Sequence, residues 1–162
     1  MARAFIAVPL PESICANLLK LDRSQQGIRW SSPGRWHITV RFFEDADMGQ
    51  LEQLFFGIEA QEAVGSLGPR VSRLGEQILI VPVRGLSFLA EQVRAATAPQ
   101  GSNDQLPFVG HITLGRMKET GSAELEGTAI EGVFGVDQLL LVESRIGSGG
   151  HAHTVVASRS LL

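Results

Sequence analysis

The chain has 162 residues, 44% apolar and 19% charged, with 14 basic and 17 acidic side chains and a net charge of −3. That balance fits one globular domain, or two closely fused lobes, with enough chain to bury a core, and it excludes a disordered polymer. It argues against an extended basic surface for long nucleic acid, while leaving room for a local basic pocket around one phosphate.

Ala4 to Val8 is a short apolar run stopped by Pro9, hence a first strand. Pro11 and Glu12 open a helix with Ile14, Leu18, Leu19 and Leu21 as its apolar stripe, and Gly27 ends that segment. Ser31 to Gly34 reads as a turn, and Arg35 to Phe43 as a strand. Asp45-Ala46-Asp47 offers an N-cap for a helix over Met48 to Val64, with Leu51, Leu54, Phe55 and Ile58 on one side. Gly65 to Pro69 reads as a loop. Arg70 to Leu74 and Gln77 to Val83 read as a hairpin around Gly75-Glu76. Leu86 to Ala98 reads as a helix with Leu86, Leu89, Val93 and Ala96 inward, and Pro99 to Pro107 as a polar loop. Phe108 to Met117 is a strand, Thr120 to Thr128 a short helix, Val133 to Ser144 a long strand and Thr154 to Ser158 the last one. The stretch Gly147-Ser148-Gly149-Gly150 fits a flexible turn better than a phosphate cradle, because it matches neither a P-loop nor a dinucleotide fingerprint. Each half has a helix feeding a strand of the same type. The expected fold class is α+β, with two pseudo-symmetric lobes of antiparallel sheet and outer helices around a central cleft.

Cys15 is the single cysteine. An internal disulfide is therefore impossible, which fits a reducing compartment, and Cys15 reads as small core filler. The apolar run at the N-terminus is too short for a signal peptide, and no stretch approaches the roughly 18 apolar residues of a membrane span. The expectation is a soluble, cytoplasmic protein with no membrane association and no obligate protein partner.

Two strings stand out: His37-Ile38-Thr39-Val40-Arg41-Phe42 and His111-Ile112-Thr113-Leu114-Gly115-Arg116. Two of the four histidines open them. In a strand, residues i and i+2 share a face. Each string thus has a His/Thr front and an aliphatic back. Two such fronts facing one another would surround a small volume with two imidazoles, able to take and give protons near neutral pH, and two hydroxyl donors. A lone His-x-Thr is usually a strand histidine satisfied by the backbone; two near-identical copies weigh against that reading. By ideal alternation Arg41 shares the His37/Thr39 front, and Arg116 reaches the other front only if Gly115 marks a bulge. A guanidinium there would bind phosphate bidentately. Alternation puts Phe42 on the apolar back, and Trp30, Trp36, Phe43, Phe88 and Phe108 are core by default. His151 and His153 share a face but lack a nearby carboxylate or cysteine, so no metal site and no cofactor is expected.

With these strings in this order, the chain resembles the 2H phosphoesterase superfamily, and within it the RNA 2′,3′-cyclic phosphodiesterase branch historically called 2′-5′ RNA ligase. The likeness extends to Ala4-Phe5-Ile6-Ala7-Val8 with Pro11-Glu12, to Arg29-Trp30, to Pro107-Phe108 and to Ser144-Arg145-Ile146-Gly147 with Thr154-Val155. It implies that His37 and His111 are an acid/base pair, with His111 the base and His37 the acid, and that Thr39, Thr113 and Arg116 hold the phosphate. It also implies that Phe42 stacks on a nucleobase, against the alternation reading, and that the bulge at Gly115 is real. His153 departs from the aromatic tyrosine of many relatives. The implied activity is opening of RNA 2′,3′-cyclic phosphate ends to 2′-phosphomonoesters, the implied partners being RNA ends or small nucleotides. The reverse reaction, 2′-5′ ligation, would use the same residues, and a non-catalytic binder of RNA ends would need no pair of histidines.

Overall fold

The computed structural model describes residues 2–101, 107–119, 121–147 and 150–162. Within them, β1 (Ala2–Val8), α1 (Glu12–Leu19), β2 (Ile28–Trp30), β3 (Ile38–Ala46) and α2 (Met48–Phe56) are followed by β4 (Ala63–Leu67), β5 (Ser72–Leu74), β6 (Ile78–Arg84), α3 (Ser87–Ala96) and β7 (His111–Met117), then β8 (Gly132–Val136), β9 (Gln138–Gly147) and β10 (Gly150–Ser160). The main path through the sheet runs β10-β9-β1-β3-β7-β6-β4-β8, with β2 added to β7 and β5 to β6. Every pairing is antiparallel. The fold is α+β, as expected.

The halves meet in the middle, where β3 pairs with β7 through Ile38 and Ile112. Val8 flanks Ile38 on one side and Val81 flanks Ile112 on the other. All four are buried in one large core. The helices knit the halves together. Ile14 of α1 lies against Gly132 of β8, where an added Cβ would come within 2.8 Å of Ile14 Cδ1. α3 packs instead on β3, where Arg41 Nη1 donates to Arg94 O at 2.8 Å. α1 and α3 thus each cover the half to which the preceding strand does not belong, whereas α2, after β3, packs on β10 of its own half.

Several boundaries depart from the sequence reading. The second helix stops at Phe56, and the segment expected to continue it to Val64, and the Gly65–Pro69 loop after it, contain β4. The reason lies in the cap: Gly57 N–H bonds back to the carbonyls of Gln53, Leu54 and Phe55, ending the helix. In α1, Ile14 and Leu18 are buried but Leu19 is 52% exposed, so the stripe is narrower than expected. The long strand expected over Val133 to Ser144 is two strands, β8 and β9, broken at Asp137; the first ladders with β4 and the second with β1. No helix forms over Gly121 to Thr128. That stretch is a turn held by Thr128 N–H to Leu125 O at 2.9 Å and closed by Gly127 at φ +89°; Thr120 lies outside the described residues. Around Gly75, at φ +65°, the hairpin of β5 and β6 forms where its turn signal placed it. Ser148 and Gly149 of the glycine-rich stretch, and residues 102–106 of the polar loop, lie outside the described residues. No described helix is long and apolar enough to cross a membrane.

Candidate active site

His111 opens β7, and His37 stands one residue before β3. Because Ile38 faces Ile112 antiparallel, the register sets position 37 opposite 113 and position 39 opposite 111. Ile38 and Ile112 point into the core, both wholly buried. His37, Thr39, His111 and Thr113 point the other way and line one cavity of about 440 Å³.

The two rings are held alike. Nδ1 of His37 lies 2.7 Å from Arg35 O, and Nδ1 of His111 lies 2.7 Å from Val109 O. A carbonyl oxygen only accepts, so in each ring Nδ1 carries the proton and donates it, which leaves Nε2 as the working nitrogen. His37 Nε2 is 3.0 Å from Thr39 Oγ1; in the neutral ring it accepts the hydroxyl proton. Phe5 stacks on His37, with centroids 4.8 Å apart. The His153 ring stands edge-on to both, 6.1 Å from His37 and 5.0 Å from Phe5. Burial lowers the His37 pKa below the ordinary histidine value; the Arg35 carbonyl opposes this, while the charges of His111 and Arg35 add to it. His153 is pushed down to about 4, first by desolvation, then by the charges of Arg35, His37 and His151.

Beyond each Thr the strand is irregular in the same way. In β3 the register with β1 shifts between Ile6/Arg41 and Ala7/Thr39, and in β7 the register with β6 shifts between Leu79/Gly115 and Ile80/Thr113. One extra residue is accommodated in each strand, at Val40 and at Leu114, so two consecutive positions lie toward the core. Val40 with Arg41, and Leu114 with Gly115, are accordingly buried. The next residue comes forward on the His/Thr face: Phe42, 44% exposed, in one strand and Arg116 in the other.

This corrects the alternation reading twice. Arg41 is not a cleft residue: it is 7% exposed, and Nη1 donates to Thr97 Oγ1 and to Arg94 O on the far face. Phe42 is not on the apolar back; it lies forward of the strand beneath the Arg3 guanidinium, which is 5.4 Å from its ring centroid. Phe42 does not itself line the cavity, whereas Arg116 does. Gly115 is needed here, since an added Cβ would sit 2.9 Å from both Arg29 O and Ile28 Cγ2 of β2.

The cavity also takes in Arg29, Trp30, Arg35 and His153, none of which stood out as a site residue in the sequence. Arg35 comes from the 3₁₀ turn Pro33–Arg35 and reaches over to donate from Nη2 to His151 O on β10. A second, more apolar cavity of about 440 Å³ adjoins the first, sharing Arg35, His37 and His153 with it. Its wall includes Cys15, which is half-buried there and does not fill the core. Of the aromatic residues expected in the core, Trp36 and Phe43 are buried, Trp30 and Phe108 pack partly against it, and Phe88 is 65% exposed. Among the described residues no group of three or more His, Cys, Asp or Glu side chains is placed to hold a metal ion.

No family model and no curated protein matches the sequence. Solved structures do. Escherichia coli LigT without ligand superposes with a TM-score of 0.80 at 24% identity, over 99% of this chain and 97% of that one. The chain has the LigT fold. TT0787 of Thermus thermophilus shares it, with a TM-score of 0.77 at 23% identity over 98% of this chain and 97% of that one. More distantly, the MHV ns2 PDE domain gives a TM-score of 0.59 at 16% identity, over 87% of this chain and 99% of that domain. LigT has also been solved with 3′-AMP, and that form superposes with a TM-score of 0.78 at 22% identity, over 99% of this chain and 98% of that one.

Proposed function

We propose that this single bilobal domain is a 2H phosphoesterase that opens 2′,3′-cyclic phosphate ends of RNA or small nucleotides to 2′-phosphomonoesters. The observation that carries this reading is the antiparallel meeting of the two His-x-Thr strings at Ile38 and Ile112, with both histidines and both threonines on one cavity wall. LigT, whose fold this chain has, is known in complex with 3′-AMP and with phosphate. That supports a nucleotide-phosphate ligand for the cavity.

In the reaction, His111 takes a proton from water as the water oxygen bonds to phosphorus. The P–O3′ bond breaks, and His37 returns a proton to the leaving O3′. Thr39 and Thr113 donate to the non-bridging oxygens as charge builds there, aided by Arg116. The rate comes mainly from positioning and charge stabilisation. Burial lowers the His37 pKa and favours its neutral form. A seated phosphate adds negative charge beside the ring and favours the imidazolium, the form that the acid role requires.

The test is incubation with a 2′,3′-cyclic-phosphate-ended oligonucleotide in excess EDTA, with the product phosphate located by NMR. A 2′-phosphate product is expected. No turnover by the folded protein would overturn the assignment.

A further inference from the structure

We propose that Arg29 and Arg116 form a subsite for a second phosphate, one ribose removed from the phosphate the histidines act on, a placement that rests on the cyclic-phosphate reading above. β2 pairs antiparallel with β7, and the register sets Arg29 directly opposite Arg116. Directly opposed residues share a face, with Cβ atoms about 5 Å apart, and like charges so placed destabilise a sheet. Nothing nearby offsets them: among the described residues neither arginine has a carboxylate ion-pair partner, and no carboxylate lines the cavity they share. The chain as a whole has more acidic than basic side chains, 17 against 14, so this local excess of cations is not a consequence of composition.

Both arginines also line a smaller cavity of about 250 Å³, whose remaining wall is Gln77, Met117 and Lys118. No histidine or threonine borders it. It therefore continues the main cavity past the arginine pair, away from the reacting groups. Its donors are two guanidiniums, an ammonium and an amide, a set that suits tetrahedral anionic oxygens. The two histidines, the two threonines and Arg116 already serve the reacting phosphate, so Arg116 is shared, and the further charge for a second phosphate comes from Arg29 and Lys118 beside it. The matching substrate class is a cyclic nucleotide with a phosphate on O5′, either the internucleotide phosphate of an RNA end or a terminal 5′-phosphate.

Three probes separate these cases: adenosine 2′,3′-cyclic phosphate, its 5′-phosphorylated form, and the ApA dinucleotide ending in a 2′,3′-cyclic phosphate. The wild-type protein is expected to favour one or both of the last two by about tenfold or more in kcat/KM, chiefly through KM. Raising the salt from 50 to 300 mM should erode that preference. Arg29→Gln should reduce it to about twofold, and Lys118→Gln should lower it by a smaller factor. Which probe gains tells whether the phosphate is internucleotide or terminal. Calorimetry with adenosine 2′,5′-bisphosphate against 2′-AMP reads the subsite without turnover. If no probe is hydrolysed but the bisphosphate binds more tightly through Arg29, the hydrolytic reading fails and the subsite stands. Equal wild-type values for probes with and without the second phosphate, in turnover and in binding, overturn the subsite.

Discussion

Phe5 lies against the face of His37, the ring planes 18° apart and the centroids 4.8 Å apart. This contact shields the imidazole from water, and burial is the main cause of its lowered pKa. Phe5→Leu, which keeps an apolar group but uncovers part of the ring, is expected to move the His37 titration upward toward the ordinary value near 6.5. NMR of the ring protons across pH 4 to 8 measures this; an unchanged titration would assign the shift elsewhere.

A lowered free pKa and a raised bound pKa require proton uptake when an anion enters. Above pH 7 the phosphate of 2′-AMP is already mostly doubly ionised, so the proton goes to the protein. Calorimetry of 2′-AMP binding in buffers of different ionisation heat should show fractional uptake near pH 7.5. Affinity should fall as pH rises, by at most tenfold per unit. His37→Gln should reduce the uptake.

Truncating either ring removes a proton carrier. His37→Ala and His111→Ala are each expected to lower kcat by about 10²-fold or more. Thr39→Val and Thr113→Val each remove one donor to the phosphate oxygens, worth roughly 1–3 kcal/mol, or about 5- to 150-fold. Full activity in a folded His111→Ala protein would sink the two-histidine mechanism.

Arg41 separates a cleft role from a packing role. Its replacement by Met leaves the buried Thr97 hydroxyl with its own bond to Val93 O, at 2.7 Å, but takes a donor from Arg94 O. A stability loss of about 1–3 kcal/mol is expected in urea unfolding, with kcat per folded molecule within a few-fold of wild type. A selective loss of kcat with unchanged stability would return Arg41 to the cleft.

Gly115→Ala tests the docking of β2. Its Cβ would crowd Arg29 O and Ile28 Cγ2 at 2.9 Å and Trp30 Cα at 3.2 Å. A backbone atom cannot rotate away as a side chain can, so β2 must shift. A loss of about 1–3 kcal/mol in stability is expected, together with a raised KM, because Arg29 moves with the strand.

The sequence carried the fold class, the motif strands and the four central side chains, because the two strings alternate cleanly over their first four residues. Past Val40 and Leu114 alternation alone misled. The bulge that hides Arg41 and brings Phe42 forward depends on how β1 and β6 ladder alongside, which neither string encodes. At Gly115 a glycine hinted at it; at Arg41 no residue of the string did, and only the family resemblance pointed to a forward Phe42. The cavity's other polar residues lie outside the two strings. Arg35 enters on a 3₁₀ turn just before His37, Arg29 on a three-residue strand and His153 on the distant β10. Helix and strand boundaries such as Phe56 and Asp137 were set by capping bonds and by which partner each strand ladders with.

Ile38 and Ile112 are the one residue pair by which β3 and β7 ladder, whereas β1 and β9 share five. The two histidines therefore ride on separate halves, and the gap between their rings is governed by the angle at which the halves lean together. Beneath that junction Val8, Ile38, Ile112 and Val81 lie side by side in the core. Substituting a methyl group among these four, on the opposite side of the sheet from any phosphate, would retune the reach of one ring toward the other while every group in the cavity kept its chemical identity.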